Sequence, residues 1–294
     1  MTVVRSWLYV PGDRPDRIAK ALAGPADAVV VDLEDAVAVA AKDEARRTVV
    51  TTLAEGAAIY VRINAPATAA GEADLAALAA ADGKPAGVRV PKAEDPDELR
   101  CVADTLGVAL YPILESALGV ENALALATAH PLVAGISLGE ADLAADLRVA
   151  GGSDSPALVW PRSRVVVAAR AAGLPSPVQS VWTAVRDLDG LRASTEAGRR
   201  AGFFGRSVIH PSQIPVVHEV CAPDPAETAW ARELLGRLES SGDAAWIDDH
   251  GQFVDAAIVA RARWVLALAE SGEKHVTDPA KSRPTPEQDA TVAT

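Results

Sequence analysis

The chain places carboxylates where burial would be costly. In "VVVDLEDAV", Val29–Val37, three valines run into Asp32, Glu34 and Asp35. Charged groups resist burial unless they are paired or bound to metal, so this run calls for a cation, a hydrogen-bond framework or open water. Polar residues close other short apolar runs as well: Arg62 and Asn64 in "VRIN", Lys92 after Pro91, Glu115 with Ser116, Glu140 with Asp142, and His210 before Pro211. Glu115 and Asp142 follow successive runs, and no Cys or His cluster accompanies them. Oxygen donors alone, in a partly hydrated setting, favour Mg²⁺ or Mn²⁺ over zinc. The acids after the second run would then orient water around such an ion.

These residues can meet only if the runs are strands of one sheet with a shared end. The strand-like runs are Trp7–Val10, Ala28–Val31, Ile59–Ile63, Gly87–Val90, Ala109–Leu114, Val133–Leu138, Val178–Val181 and Phe204–Ile209. Helical stretches alternate with them: Asp13–Ala23, Ala38–Leu53, Asp95–Leu106, Gly119–Ala129, Ala157–Ala172 and Asp187–Ala201. Eight strands, each followed by a helix or crossover, predict a parallel (β/α)₈ TIM barrel, whose strand C-termini surround one mouth. An open doubly wound sheet is the alternative, and it needs no eighth strand.

Composition agrees with helices layered on a parallel sheet. Of the 294 residues 49% are hydrophobic but only 4% aromatic, so Ala, Val and Leu build the core. A net charge of −12 argues against general nucleic-acid affinity. No apolar run has the length of a membrane span, and "MTVVRSWLYV" lacks the features of a signal peptide. Cys101 and Cys221 stand far apart, which fits a reduced, cytoplasmic setting. Basic residues gather once, as Arg14, Arg17 and Lys20 in "PGDRPDRIAK". The expected organisation is a barrel domain over 1–222, a helical appendage over 223–270 and a disordered tail over 271–294, polar and without periodicity.

The motifs "RSWLYVPGDRPDRIAKAL", "ADAVVVDLEDAV", "VRIN", "LGEADLAADL", "RSRVVVAARAAGLP" and "GFFGRSVIHPSQI" occur in order from Arg5 onward. Together they resemble the citrate lyase β-subunit-like family of the HpcH/HpaI aldolase group, over nearly all of the folded chain. The resemblance implies a Mg²⁺-dependent, trimeric TIM barrel that makes or breaks carbon–carbon bonds in malyl-, citramalyl- or citryl-CoA, with a 2-oxo acid as the other product. It implies that Glu115 and Asp142 are direct metal ligands and that Glu34 and Asp35 stand behind the metal waters. Arg62 would grip substrate carboxylate and carbonyl oxygens, and Arg14 and Lys20 would meet the CoA phosphates. Asp255, in "HGQFVDAAI", would cap a neighbouring subunit's site and protonate the enolate; to act as an acid it needs burial or a nearby carboxylate. The chain departs from the family's pattern at Gln179, where Asp is usual, and at Arg148, where Gly is usual.

Plainer roles stand beside these. Arg14, Arg17 and Lys20 have the spacing of a solvated helix face, Asp32 reads as closing its strand through backbone N–H groups, and Asp255 opens a helix as an N-cap would. Two other activities also fit: a CoA-independent aldolase acting on free 4-hydroxy-2-oxo acids, and a weakly active CoA-thioester-binding subunit.

Overall fold

The computed structural model describes residues 4–150, 155–241, 245–248 and 251–276. Two compact units divide the chain, one over Val4–Cys221 and the other from Ala222 onward. The first contains strands β1 (Ser6–Pro11), β2 (Ala28–Asp32), β3 (Tyr60–Arg62), β4 (Gly87–Val90), β5 (Leu110–Leu114), β6 (Ser137–Leu138) and β7 (Arg206–Val208). They form one parallel sheet in the order β6-β5-β4-β3-β2-β1-β7. The run expected at 178–181 forms no full strand. It contributes isolated bridges, Ser137 to Val178 and Gln179 to Arg206, that join the two edges of the sheet. Pro175 and Pro177 flank this stave and carry no N–H, which limits how much ladder it can build. The result is still an α/β barrel of eight staves.

Helices α1 (Pro15–Leu22), α2 (Lys42–Ala54), α3 (Ala69–Ala80), α4 (Pro96–Leu106), α5 (Ala117–Glu121), α6 (Ala123–Ala127), α7 (Glu140–Asp146), α8 (Val159–Ala171), α9 (Leu188–Arg200) and α10 (Ile214–Cys221) complete this unit. Their starts follow capping chemistry. Asp95 accepts from the Asp97 N–H, Ser116 from Gly119 and Asp187 from Gly190. The outward strand residues Leu8, Val10, Val29, Val31, Val61, Val88 and Val90 belong to one buried cluster with helix residues such as Val49, Leu99 and Leu143.

Inside the barrel, large and small side chains alternate. Trp7, Tyr60 and Tyr111 meet edge-on, with ring centroids 4.7 to 5.7 Å apart. Gly87 leaves room for them, since a Cβ there would lie 2.8 Å from the Tyr111 ring and 3.1 Å from that of Tyr60. Above this plug lie two guanidinium groups. Arg62 stacks over Tyr9 at 5.2 Å, and Arg89 lies over Trp7 and Tyr9 at 5.3 and 5.6 Å. These rings lie near the starts of β1, β3 and β5, away from the strand ends that carry Asp32, Arg62 and Glu115.

The second unit pairs α11 (Pro225–Ser241) with α12 (Ala256–Val276), together with a two-stranded hairpin of β8 (Trp246–Ile247) and β9 (Phe253–Val254). Its core holds Ala231, Leu234, Trp246, Val254, Val259, Ala262 and Val265. Helix α12 continues to Val276, past the expected start of the tail at 271. Extending a formed helix adds one hydrogen bond per residue fixed, and no proline intervenes before Pro279. The rest of that tail, 277–294, lies outside the described residues.

Candidate active site

Two clusters face the mouth. The first is built on Arg62 at the end of β3. Its Nε and Nη2 donate to the two carboxylate oxygens of Asp32, at 2.7 and 2.5 Å. Asp32 is buried on β2 in register with Arg62, so the fork closes across neighbouring strands. The same carboxylate accepts the backbone N–H groups of Glu34 and Ala36 at 2.9 and 3.2 Å, which folds the acidic turn back on itself. Lys42 donates to the Leu33 and Glu34 carbonyls at 2.8 and 2.9 Å, and Asn64 donates to the Leu33 carbonyl at 2.9 Å.

Glu34 and Asp35 therefore turn toward Arg62, with oxygens 2.8 and 3.5 Å from Nη1. That contact to Glu34 Oε2 is an ion pair without hydrogen-bond geometry. Burial pushes the Glu34 carboxyl up to about 8, against the pull of Arg62 and with help from the charges of Asp35, Glu115 and Asp32. For Arg62, burial disfavours the charged form, but the hydrogen bonds and charge of Asp32 and the charge of Glu34 outweigh it and hold the pKa above normal. The Asp32 fork uses Nε and one Nη2 N–H, while Nη1 faces the Glu34 and Asp35 carboxylates.

The second cluster joins β4, β5 and α7. Glu115 follows β5 and is buried; its Oε1 accepts the Lys92 backbone N–H at 2.8 Å. Asp142 lies exposed in the first turn of α7, after β6. The Lys92 ammonium stands between them, 3.2 Å from Glu115 Oε1 and 2.9 Å from Asp142 Oδ1. Gly139 makes the approach of these elements possible, since a Cβ there would lie 2.6 Å from Glu115 Cβ and Oε2. Burial raises the Glu115 pKa, opposed by Lys92. The Lys92 pKa is raised although burial opposes its charge, through the hydrogen bond to Asp142 and the charge of Glu115.

Two carboxylates from different staves thus converge on one cation-sized point, marked by a side-chain ammonium. Their donor set is all oxygen, which suits Mg²⁺ completed by water and substrate. Among the described residues no group of three or more His, Cys, Asp or Glu gathers on a metal-sized point. The two clusters share one electrostatic field, because Glu34 feels both Arg62 and Glu115.

Other expected residues fall elsewhere. Arg14 occupies the N-cap position of α1 without a side-chain capping bond and pairs with Asp16 at 3.2 Å, half-exposed. Lys20 lies exposed in the last turn of the same helix, roughly 9 Å further along its axis at 1.5 Å per residue. Glu140 forks to Arg162 at 2.9 and 2.7 Å and braces α7 on α8. His210 accepts the Ser212 N–H at 3.2 Å and caps a short turn. Asp255, in the second unit, accepts the N–H groups of Ala257 and Ile258 at 2.9 and 3.1 Å, so it is the N-cap of α12.

Gln179 points outward, where its side-chain amide donates to the Ser194 carbonyl at 3.1 Å. Arg148 has φ +55°, a left-handed backbone that glycine adopts without strain.

Two more residues belong to the site than those expected to carry it, Lys92 and Arg89. Lys92 was visible as a strand-end lysine, but its insertion between Glu115 and Asp142 was not. Arg89 sits on β4 amid apolar residues, 2% exposed, with Nη2 donating to Ser137 at 2.7 Å and Nε and Nη1 without hydrogen-bond partners. An arginine at an inward strand position was the available signal.

Fold and site define a parallel α/β barrel whose mouth carries a lysine-bridged carboxylate pair and a forked guanidinium. The chain belongs to the HpcH/HpaI aldolase/citrate lyase family, whose model matches residues 5–211. It is 37% identical over 275 residues to a (3S)-malyl-CoA thioesterase of Cereibacter sphaeroides, covering 91% of this chain and 95% of that one. A mitochondrial citramalyl-CoA lyase of Mus musculus is 31% identical, with 91% and 86% covered. The crystal structure of CitE from Mycobacterium tuberculosis, in complex with magnesium, acetoacetate and coenzyme A, superposes with a TM-score of 0.79 at 34% identity, covering 91% of this chain and 98% of that one.

Proposed function

We propose that this protein is a Mg²⁺-dependent carbon–carbon lyase that cleaves, or in reverse forms, a β-hydroxyacyl-CoA such as malyl-, citramalyl- or citryl-CoA. The products are an acyl-CoA and a 2-oxo acid. The observation that carries this reading is the convergence of Glu115 and Asp142 on one cation position, at a mouth that also holds the Arg62 guanidinium. Magnesium or manganese, bound there, would supply a Lewis acid for the oxygen that becomes the oxo-acid carbonyl.

The chain's own residues do the rest. Arg62, fixed by Asp32, turns its remaining N–H groups to the oxo-acid carboxylate. Glu34 and Asp35, turned toward Arg62, orient water at the mouth. The β-hydroxyl proton passes to the water that Glu34 and Asp35 orient, and the carbon–carbon pair moves onto the thioester, giving an enolate. Asp255 from a neighbouring subunit returns a proton to its α-carbon. This role implies an oligomer, which we take to be a trimer. Arg14 and Lys20 on α1 meet the CoA phosphates.

The assay incubates enzyme and Mg²⁺ with the three acyl-CoA substrates and with free 4-hydroxy-2-oxo acids. An acyl-CoA and a 2-oxo acid formed together support the lyase. Cleavage of the free acids alone would refute the CoA assignment in favour of a CoA-independent aldolase, and no turnover of either would favour a CoA-thioester-binding subunit.

A second reading is hydrolysis of the thioester itself, favoured by the 37% identity to a malyl-CoA thioesterase against 31% to a citramalyl-CoA lyase. It predicts free CoA thiol and intact malate from malyl-CoA, with no glyoxylate.

A further inference from the structure

The Lys92 ammonium touches the same two carboxylates that the lyase reading gives to the metal. Its Nζ lies 3.2 Å from Glu115 Oε1 and 2.9 Å from Asp142 Oδ1. A divalent ion using that pair must take up these oxygens, and two cations cannot share the point.

We propose that Lys92 is an exchangeable counter-cation: its side chain holds Glu115 and Asp142 together and leaves as the divalent ion enters, so that Lys92 sets the metal affinity of the site. The proposal rests on the lyase reading and adds a positioning residue to it.

Three features suit Lys92 to this exchange. Its backbone and side chain act separately on the site. The N–H holds Glu115 Oε1 at 2.8 Å whatever the side chain does, so the buried carboxylate keeps its aim after the ammonium departs. That backbone is unusual, with φ +50° in the left-handed region. A non-glycine residue persists there only when its surroundings fix it, here through the hydrogen bond to Glu115.

The side chain is free to go. It is 40% exposed, while Glu115 is 3% exposed, so the ammonium swings into solvent without crossing the core. A lysine is a compact, flexible point charge, unlike the forked guanidinium held by Asp32.

The charges also favour exchange. Two carboxylates on adjacent staves repel each other unless a cation lies between them. With one ammonium the ionised trio sums to a single negative charge; with a divalent ion in its place the sum is zero. Lysine is thus sufficient to bring the two acids together and weak enough to be displaced. The freed ammonium remains tethered at the mouth, near where an anionic oxo acid would bind.

The test is an equilibrium titration of the full-length protein with Mn²⁺, free ion counted by electron paramagnetic resonance, without substrate. Lys92→Met keeps the length of the side chain and removes its charge. It is expected to bind Mn²⁺ about tenfold to thirtyfold more tightly than wild type, the scale of a unit charge acting on a divalent ion at about 4 Å in a water-like dielectric. Lys92→Arg, which can fork to both acids, is expected to bind no tighter than wild type. Lys92→Asn, neutral and tolerant of a positive φ, gives the same tightening if Lys92→Met fails to fold.

Unchanged or weaker binding in the neutral variants, with Glu115→Gln abolishing it, would overturn the exchange and leave the metal site standing. Mn²⁺ binding that survives Glu115→Gln and Asp142→Asn would remove the site and the proposal with it.

Discussion

The pairing of Asp32 with Arg62 can be tested by Asp32→Asn. The substitution keeps the side-chain volume but removes the charge and turns one acceptor into a donor facing a donor. Asp32 is 1% exposed and accepts four hydrogen bonds: two from Arg62, at 2.7 and 2.5 Å, and the N–H groups of Glu34 and Ala36 at 2.9 and 3.2 Å. Breaking a buried ion pair by removing one partner costs about 3–5 kcal/mol. Arg62 keeps Glu34 and Asp35 as counter-charges, 2.8 and 3.5 Å from Nη1, so the lower end, about 3 kcal/mol, is expected. At about 2–4 °C per kcal/mol for a chain of this size, Tm falls by about 6–12 °C. A guanidinium displaced by about 1 Å costs roughly a hundredfold in rate, so kcat/KM falls by that order while Mn²⁺ affinity holds. Urea denaturation of Asp32→Asn, Arg62→Gln and the double variant gives the coupling between the two residues. Strictly additive losses, or an Asp32→Asn protein within about 1 kcal/mol of wild type and fully active, would refute the pairing.

Three further outcomes are expected. Asp27, 2% exposed in its side chain, accepts the backbone N–H, Nε and Nη2 of Arg5 at 2.8 to 2.9 Å. Burial opposes its charge, yet the Arg5 bonds and charge prevail and lower its pKa. With the folded pKa below the unfolded value of about 3.9, its stabilisation is complete above that pH and disappears as pH falls through the folded pKa. Asp27→Asn therefore loses about 3–5 kcal/mol at pH 7 and flattens the acid limb of the stability curve; parallel curves for the two proteins would contradict this. Gly139→Ala puts a Cβ 2.6 Å from Glu115 and is expected to cost about 1–3 kcal/mol and weaken Mn²⁺ binding, whereas intact binding would mean Glu115 does not need that space. At Asp255, Ala is expected to cost about 0.5–2 kcal/mol by loss of the N-cap, and Asn to keep the cap. If Asp255 is also the acid, Asp255→Asn lowers turnover far more than Mn²⁺ affinity; full turnover in Asp255→Asn would leave it a cap only.

The sequence revealed which residues stand at strand ends because hydrophobic periodicity and strand-end polarity are local properties. Glu115, Asp142, Arg62 and the Asp32–Asp35 turn were legible for that reason. Which of them touch depends on register and backbone angles. Asp32 read as a strand-closing residue that binds backbone N–H groups, and it does so; that it also carries Arg62 follows from the β2–β3 register, invisible in one strand alone. Glu34 and Asp35 read as acids behind a metal; that the turn fixed by Asp32 and Lys42 also brings them to Arg62 depends on contacts no single strand displays. The run at 178–181 looked like a full strand by composition, but the flanking prolines reduce it to bridges.

The central claim is that Glu115 and Asp142 hold one divalent ion against which an oxo acid, gripped by Arg62, is released. Anomalous diffraction from crystals soaked with Mn²⁺ and pyruvate or oxaloacetate tests it most directly. The account predicts a single strong peak within about 2.0–2.2 Å of an oxygen of each carboxylate, with the oxo-acid carboxylate on Arg62. A peak bound to other side chains, or a soaked oxo acid that leaves Arg62 untouched, would contradict it.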